Sequence, residues 1–461
     1  MKLKDIHSVY FIGIGGIGMS ALARWFSANG YYVAGYDKTS TSLTKALESE
    51  GIAVHYSDSV ALIPTPVVSD KSKSLIVYTP AVPKDHQEYN FLKNEGFETL
   101  KRSQVLGELT KDNFTIAVAG THGKTTTSSI IAHILKSSGI NCTAFVGGIM
   151  TNYNSNLIIG KAGADNVIVV EADEFDRSFL TLHPDIAIIT AVDADHLDIY
   201  GSADSLKDSF KDFIKNIKEN GKLFIEERSA GKFSIENFEG VNVETYGLQN
   251  GAIHSNGVSV HNGSFNFDYQ RGVKLIKGVK LLLPGFHNAE NSIAAISVAL
   301  DLNVKEEAIK SAIENFKGVK RRFEYIINSA NLVFIDDYAH HPEEIKALLN
   351  SVKALFPNKK ITVIFQPHLF TRTRDFADQF SESLSLANEV LLLEIYPARE
   401  LPIDGVSSSM LLEKITADQK LVCSKEDLID KLLSLDLEVV LTVGAGDIDA
   451  MVLPIKNALQ P

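Results

Sequence analysis

The stretch Ala117-Val-Ala-Gly-Thr-His-Gly-Lys-Thr-Thr126 follows an apolar segment, Phe114 to Ala119, and leads into a helical pattern. That context suits a loop that cradles phosphate. Gly120 and Gly123 let backbone N–H groups converge on phosphate oxygens, and Lys124 adds a point charge. A helix opening near Thr125 presents its positive dipole end, and the Thr125 hydroxyl is placed to meet Mg²⁺. Val118 stands where the longer Walker pattern wants glycine, so the match is to the shorter G-x-x-G-K-T core.

Two further groups fall just beyond apolar strands. Glu171-Ala-Asp-Glu-Phe-Asp176 follows Val167 to Val170, and Asp195-His196 follows Ile186 to Ala191. Carboxyl ends of parallel strands are where α/β sheets bind ligands. Thr125 and Glu171 form an oxygen-rich set suited to Mg²⁺, with His196 as an additional ligand. Asp173, Glu174 and Asp176 read singly as solvated loop carboxylates.

Nearer the start, Gly13-x-Gly15-Gly16-Ile17-Gly18 with Asp37 closing the next strand satisfies a dinucleotide fingerprint. Such a turn holds NAD or another diphosphate, because its amides recognise the pyrophosphate rather than the nicotinamide. An NAD-dependent dehydrogenase is therefore one reading and a nucleotide-binding switch another, but each leaves one of the two loops or the later motifs unexplained.

The elements that must position these groups alternate between strand and helix. Val9–Ile12, a helix over Met19–Asn29 and Tyr32–Tyr36 make one βαβ unit, and Leu75–Tyr78 continues it to about Glu108. A second α/β start at 114–119 continues through 167–170 and 186–191. Between about Gly240 and Pro284, Asn-Gly pairs at 250–251, 256–257 and 262–263 predict hairpins and an antiparallel patch. Helices over Asn288–Leu300 and Lys305–Phe316 close this part near Gly318. Strands at Leu332–Ile335, Ile361–Phe365, Val390–Ile395 and Val439–Val443 make a third α/β region.

Length and composition agree with several domains. At 461 residues the chain exceeds what one core usually serves, and 45% apolar with 22% charged residues is ordinary globular usage. A net charge of −12 argues against nucleic acid or an anionic membrane as partner. Cys142 and Cys423 stand far apart without metal or disulfide spacing, which fits a reducing compartment. No apolar run is long enough to span a bilayer, and the early glycines argue against a signal peptide, so a cytoplasmic location is expected.

Gly120–Thr126, Glu171-Ala-Asp-Glu174, Asp195-His196, Phe286-His-Asn-Ala-Glu-Asn291, Arg321-Arg-Phe323 and Asp336-Asp-Tyr-Ala-His-His-Pro342 occur in the order found in Mur ligases. The chain resembles that family over essentially its whole length. Gln366-Pro-His-Leu-Phe-Thr-Arg-Thr-Arg-Asp375 resembles the branch that joins L-alanine to UDP-N-acetylmuramate, rather than the recycling branch that attaches a tripeptide.

The resemblance implies an α/β protein of three domains: a Rossmann-like UDP-sugar domain over 1–108, a central P-loop ATPase domain over 109–318, and a Rossmann-like C-terminal domain over 319–461 that closes over the site. It makes Gly13, Gly15, Gly16, Ile17, Gly18 and Asp37 the UDP-sugar contacts. Gly120, Thr121, His122, Gly123, Lys124, Thr125 and Thr126 become ATP contacts, with Asn288 and Asn291 near the adenine and Arg322 and Asp337 from the C-terminal domain. Lys124, Glu171 and His196 are then catalytic, and Thr125, Glu171 and His196 hold Mg²⁺. His368, Arg372 and Arg374 are the candidates for the amino-acid end, since a guanidinium forks onto a carboxylate. Lys211, near where other Mur ligases carry a carbamylated lysine, reads as an exposed helix residue. The expected enzyme is bacterial, a monomer or homodimer, using ATP and Mg²⁺ with UDP-N-acetylmuramate and L-alanine.

Overall fold

The computed structural model describes residues 3–161, 165–193, 200, 202–233, 238–261, 263–398 and 400–460. Their strands form three sheets. The first holds β1 (Ser8–Ile12), β2 (Tyr32–Tyr36), β3 (Ala53–His55), β4 (Ser74–Tyr78) and β5 (Glu98–Lys101) in the order β3-β2-β1-β4-β5. All its pairings are parallel. Helix Ile17–Ala28 follows β1 and turns Met19, Leu22, Ala23 and Phe26 inward at helical spacing.

The second sheet has ten strands: β6 (Thr115–Ala119), β7 (Cys142–Met150), β8 (Ser155–Ile158), β9 (Val167–Ala172), β10 (Ile186–Ile189), β11 (Lys222–Glu226), β12 (Asn242–Tyr246), β13 (Ile253–His261), β14 (Ser264–Arg271) and β15 (Lys274–Leu281). Their order is β15-β14-β13-β12-β11-β10-β6-β9-β7-β8. From β12 to β7 the pairing is parallel, and β8 runs antiparallel at the edge. The strands β6, β9 and β10 are fully or nearly fully buried, as expected when helices cover both faces.

The third sheet orders β16 (Glu324–Asn328), β17 (Val333–Asp337), β18 (Ile361–Phe365), β19 (Glu389–Leu392), β20 (Gln419–Val422) and β21 (Val439–Val443) as β16-β17-β21-β18-β19-β20. Only β16 in it is antiparallel to its neighbour. The fold is thus the expected three-domain α/β arrangement with mainly parallel sheets. Among the described residues, no helix is long and apolar enough to cross a membrane.

The described chain falls into two compact units, one of 1–255, 269–276 and 291–313, the other of 256–268, 277–290 and 314–461. In the first, one apolar core runs from the first sheet into the second. Phe11, Leu22 and Phe26 belong to it together with Phe145, Phe179 and Phe213. In the second unit, Phe334, Ile364, Leu391 and Val440 anchor a separate core.

Two expectations need correction. Asn250-Gly251 does not begin an antiparallel hairpin, because β12 and β13 meet in parallel through Tyr246 and Ile253. Asn256-Gly257 lies inside β13, where Gly257 takes a positive φ of 76° without ending the strand. Asn262 is outside the described residues. The strand expected to reach Ala191 stops at Ile189, since the next two residues bond to the phosphate loop instead.

Candidate functional site

The phosphate loop lies between β6 and helix Lys124–Ser137, with Gly123 as its N-cap at φ 81°. Gly120, at φ 136°, passes against Thr190 so closely that a Cβ would collide with its hydroxyl and lie 2.8 Å from Ala191 N. A side chain is therefore excluded there by both conformation and space. Thr190 donates to the Ala119 carbonyl at 3.1 Å and to that of His122, while Thr121 N donates to Ala191 O at 3.0 Å. Thr190 thus sets the loop, a role that its type alone does not advertise. Asn291 Oδ1 lies 2.8 Å from the Cβ position of Gly123. Thr126 is buried, and His122 Nε2 lies 3.7 Å from Asp193 Oδ2.

Lys124 Nζ donates to Gly120 O at 2.6 Å and pairs with Glu174 Oε2 at 2.8 Å. Burial works against its charge, but Glu174, Asp173 and Glu171 outweigh it and hold the ammonium above its usual value. Glu174 is not the solvated carboxylate expected from the sequence. Its side chain is fully buried, and burial pushes its pKa up while Lys124 opposes the shift. Left-handed backbone at Asp176 and Arg177 turns the chain just after it, and Tyr200 Oη donates to its carbonyl at 2.5 Å.

Thr125 Oγ1 lies 3.0 Å from both oxygens of Glu171, which also accepts from Gly147 N at 2.7 Å. Thr125 and Glu171 come together as expected. His196 and Asp195 lie outside the described residues. Lys211 is half-exposed on its helix and pairs with Asp208 at 2.8 Å.

At the first glycine loop, Gly13 N and Ile14 N donate to Tyr36 O at 2.8 and 3.0 Å. Gly16 caps helix Ile17–Ala28, which contains Gly18. Asp37 uses its carboxylate to accept from Gly15 N at 2.7 Å and Thr39 N at 3.1 Å, so it braces the loop itself.

The remaining candidates belong to the second unit. Asn288 is buried and donates to Pro284 O at 2.6 Å. Asp337 accepts from Phe323 N at 2.7 Å and Ala339 N at 2.8 Å, and burial raises its pKa to about 6 against the pull of Arg322. The Arg322 guanidinium lies 5.0 Å from the Tyr338 ring centre. The ring of His368 stacks on Tyr396 at 5.7 Å. Arg372 is buried, whereas Arg374 is half-exposed and held by Asp375 at 2.7 Å, so the three amino-acid candidates do not share one setting.

Comparison with known proteins agrees along the chain. Residues 8–114 match the Mur ligase family catalytic domain, 118–299 the Mur ligase middle domain, and 321–446 the Mur ligase glutamate ligase domain. A Cytophaga hutchinsonii protein named UDP-N-acetylmuramate–L-alanine ligase is 51% identical, covering 99% of this chain and 97% of that one. Its namesake in Christiangramia forsetii is 48% identical, covering 99% of each. The crystal structure of UDP-N-acetylmuramate–alanine ligase from Thermotoga maritima is similar with a TM-score of 0.82 at 30% identity, covering 98% of this chain and 99% of that one. The chain belongs to the Mur ligase family.

Proposed function

We propose that this ligase joins L-alanine to the lactyl carboxylate of UDP-N-acetylmuramate at the expense of ATP, giving UDP-N-acetylmuramoyl-L-alanine, ADP and phosphate for peptidoglycan precursors. One observation carries the reading: a phosphate loop headed by Lys124, with Thr125 3.0 Å from both oxygens of Glu171. The names of relatives 51% and 48% identical supply the substrates.

A carboxylate resists attack by an amine because its leaving group would be oxide. The lactyl carboxylate therefore attacks the γ-phosphorus, the bond to ADP breaks, and an acyl phosphate forms. The neutral amine of alanine then attacks the acyl carbon, loses a proton and expels phosphate. Placement and charge neutralisation are the protein's main contributions.

In this reading Lys124 and the amides of Gly120–Thr126 receive the ATP phosphates. Gly13–Gly18, braced by Asp37, receive the UDP diphosphate. Asn288 and Asn291 serve the adenine, Arg322 and Asp337 the nucleotide, and His368, Arg372 and Arg374 the amino acid. The domains run 1–108, 109–318 and 319–461, in a cytoplasmic bacterial enzyme.

Thr125 and Glu171 would hold Mg²⁺ together with His196. Their oxygens fit an ion that takes one or two carboxylates and fills its shell with water and phosphate. When bound, the ion would neutralise phosphate charge.

The test is phosphate release from Mg-ATP with UDP-N-acetylmuramate and, in parallel, L-alanine, glycine, L-serine or the recycled tripeptide, with mass spectrometry of each product. Release that needs the nucleotide sugar and is greatest with L-alanine supports the reading. Preference for the tripeptide reassigns the amino substrate, and no acceptor-dependent release overturns it.

A further inference from the structure

We propose that Arg102 binds the diphosphate of the nucleotide sugar and that Asp173 holds its guanidinium until that ligand arrives, linking the first glycine loop to the acidic motif of the second. This deepens the proposed function and rests on it.

Arg102 opens helix Arg102–Lys111 directly after β5. Because β1, β4 and β5 are parallel, it emerges on the same carboxyl edge as the Gly13–Gly18 turn. Its guanidinium covers that turn. A Cβ at Gly18 would lie 2.7 Å from Arg102 Nη1 and 3.0 Å from its Cδ. The other end of the fork, Nη2, is 3.7 Å from Asp173 Oδ2. Asp173 lies two residues after Glu171 and adjoins Glu174, the partner of Lys124.

The helix is fixed to this acidic segment at a second point. Thr181 Oγ1 donates to Ser103 O at 2.8 Å, and a Cβ at Gly107 would come within 2.6 Å of Thr181 O. The backbone around Arg102 is therefore held, while its side chain keeps a loose partner. A partly exposed pair at 3.7 Å contributes little to stability, so exchanging Asp173 for phosphate oxygens costs little. A guanidinium forks onto two phosphate oxygens with stronger, charge-assisted hydrogen bonds. Nucleotide-sugar binding then releases Asp173 beside the residues that hold Lys124 and Thr125.

The experiment titrates UDP and UMP into the full-length wild type, Arg102→Ala, Arg102→Lys and Asp173→Asn. We expect Arg102→Ala to weaken UDP binding by about tenfold or more, equivalent to about 1.4 kcal/mol, with a smaller effect on UMP. Arg102→Lys should fall between, and Asp173→Asn should bind UDP more tightly than wild type, a gain that a merely structural contact would not produce. If wild type binds UDP and Arg102→Ala binds it equally well, or if Asp173→Asn binds UDP no tighter, this inference is overturned while the function stands. If wild type binds neither nucleotide, the assignment of the first loop falls with it. Should Arg102→Ala fail to fold, Arg102→Lys and Asp173→Asn still decide.

Discussion

Lys124 Nζ and Glu174 Oε2 stand 2.8 Å apart, with the carboxylate entirely out of solvent. Each therefore depends on the other for its charge. Removing one partner of a buried pair leaves the other uncompensated, at a cost of about 3–5 kcal/mol. Lys124→Met should lose both phosphate release and stability of that order. The double variant with Glu174→Gln should regain most of the stability and none of the activity. Urea unfolding of the three proteins checks this, and a Lys124→Met midpoint equal to wild type would refute it.

Gly147 lets β7 lie against Glu171, donating its N–H at 2.7 Å. A Cβ there would run into the carboxylate, 2.8 Å from its Cδ and closer still to Oε2. Gly147→Ala should therefore turn Glu171 away from Thr125 without unfolding β7. The Mg²⁺ concentration for half-maximal activity should rise by about tenfold or more, in the range seen when the groups that orient a metal ligand are disturbed. An unchanged Mg²⁺ dependence with an intact circular dichroism spectrum would remove Glu171 from the proposed metal set.

The parallel strands were legible because burial on both faces leaves continuous apolar runs; Tyr32–Tyr36, Ile361–Phe365 and Val439–Val443 have the bounds expected. The phosphate loop was legible because its glycines and lysine are local in sequence. Glu174 was not, since a carboxylate's burial depends on a lysine 50 residues away. Thr190 and Gly147 escaped for the same reason, their partners being distant along the chain. The Asn-Gly pair at 256–257 misled because the positive φ it favours also fits within a strand, as at Gly257.

His287 carries a pH dependence that can be isolated. Burial lowers its pKa from 6.5 to about 4, with the positive charge of Arg322 adding to the effect and Glu344 opposing it. Between those values the unfolded chain binds a proton that the folded chain refuses, so this contribution to stability is present above pH 6.5 and is lost as pH falls toward 4. Asp337 acts oppositely, because its raised pKa makes its contribution decline as pH climbs from 3.8 to about 6. Comparing His287→Gln with wild type cancels the Asp337 part. The variant's unfolding free energy should fall less steeply on acidification from pH 6.5 to 4.5, and parallel curves would show that His287 titrates normally in the fold.

Glu400 tests the amino-acid end. Its carboxylate accepts from Thr371 N at 3.0 Å and from the Thr371 hydroxyl, at the start of helix Phe370–Asp375 that carries the buried Arg372. The chain enters that helix through Leu369 in left-handed backbone at φ 71°, a conformation that costs energy for any residue but glycine. Leu369 N also donates to Tyr396 O at 3.0 Å, on the residue whose ring stacks against His368. Glu400 thus helps to hold a strained segment in place from outside it. If Arg372 and His368 receive the amino acid, Glu400→Ala should raise the KM for L-alanine by about tenfold, the loss expected for charge-assisted hydrogen bonds, and leave the KM for ATP near wild type. Glu400→Gln, which keeps one acceptor, should recover part of the loss. Equal rises in both KM values would mean a general loosening of the unit, and no change in either would move the alanine site away from this segment.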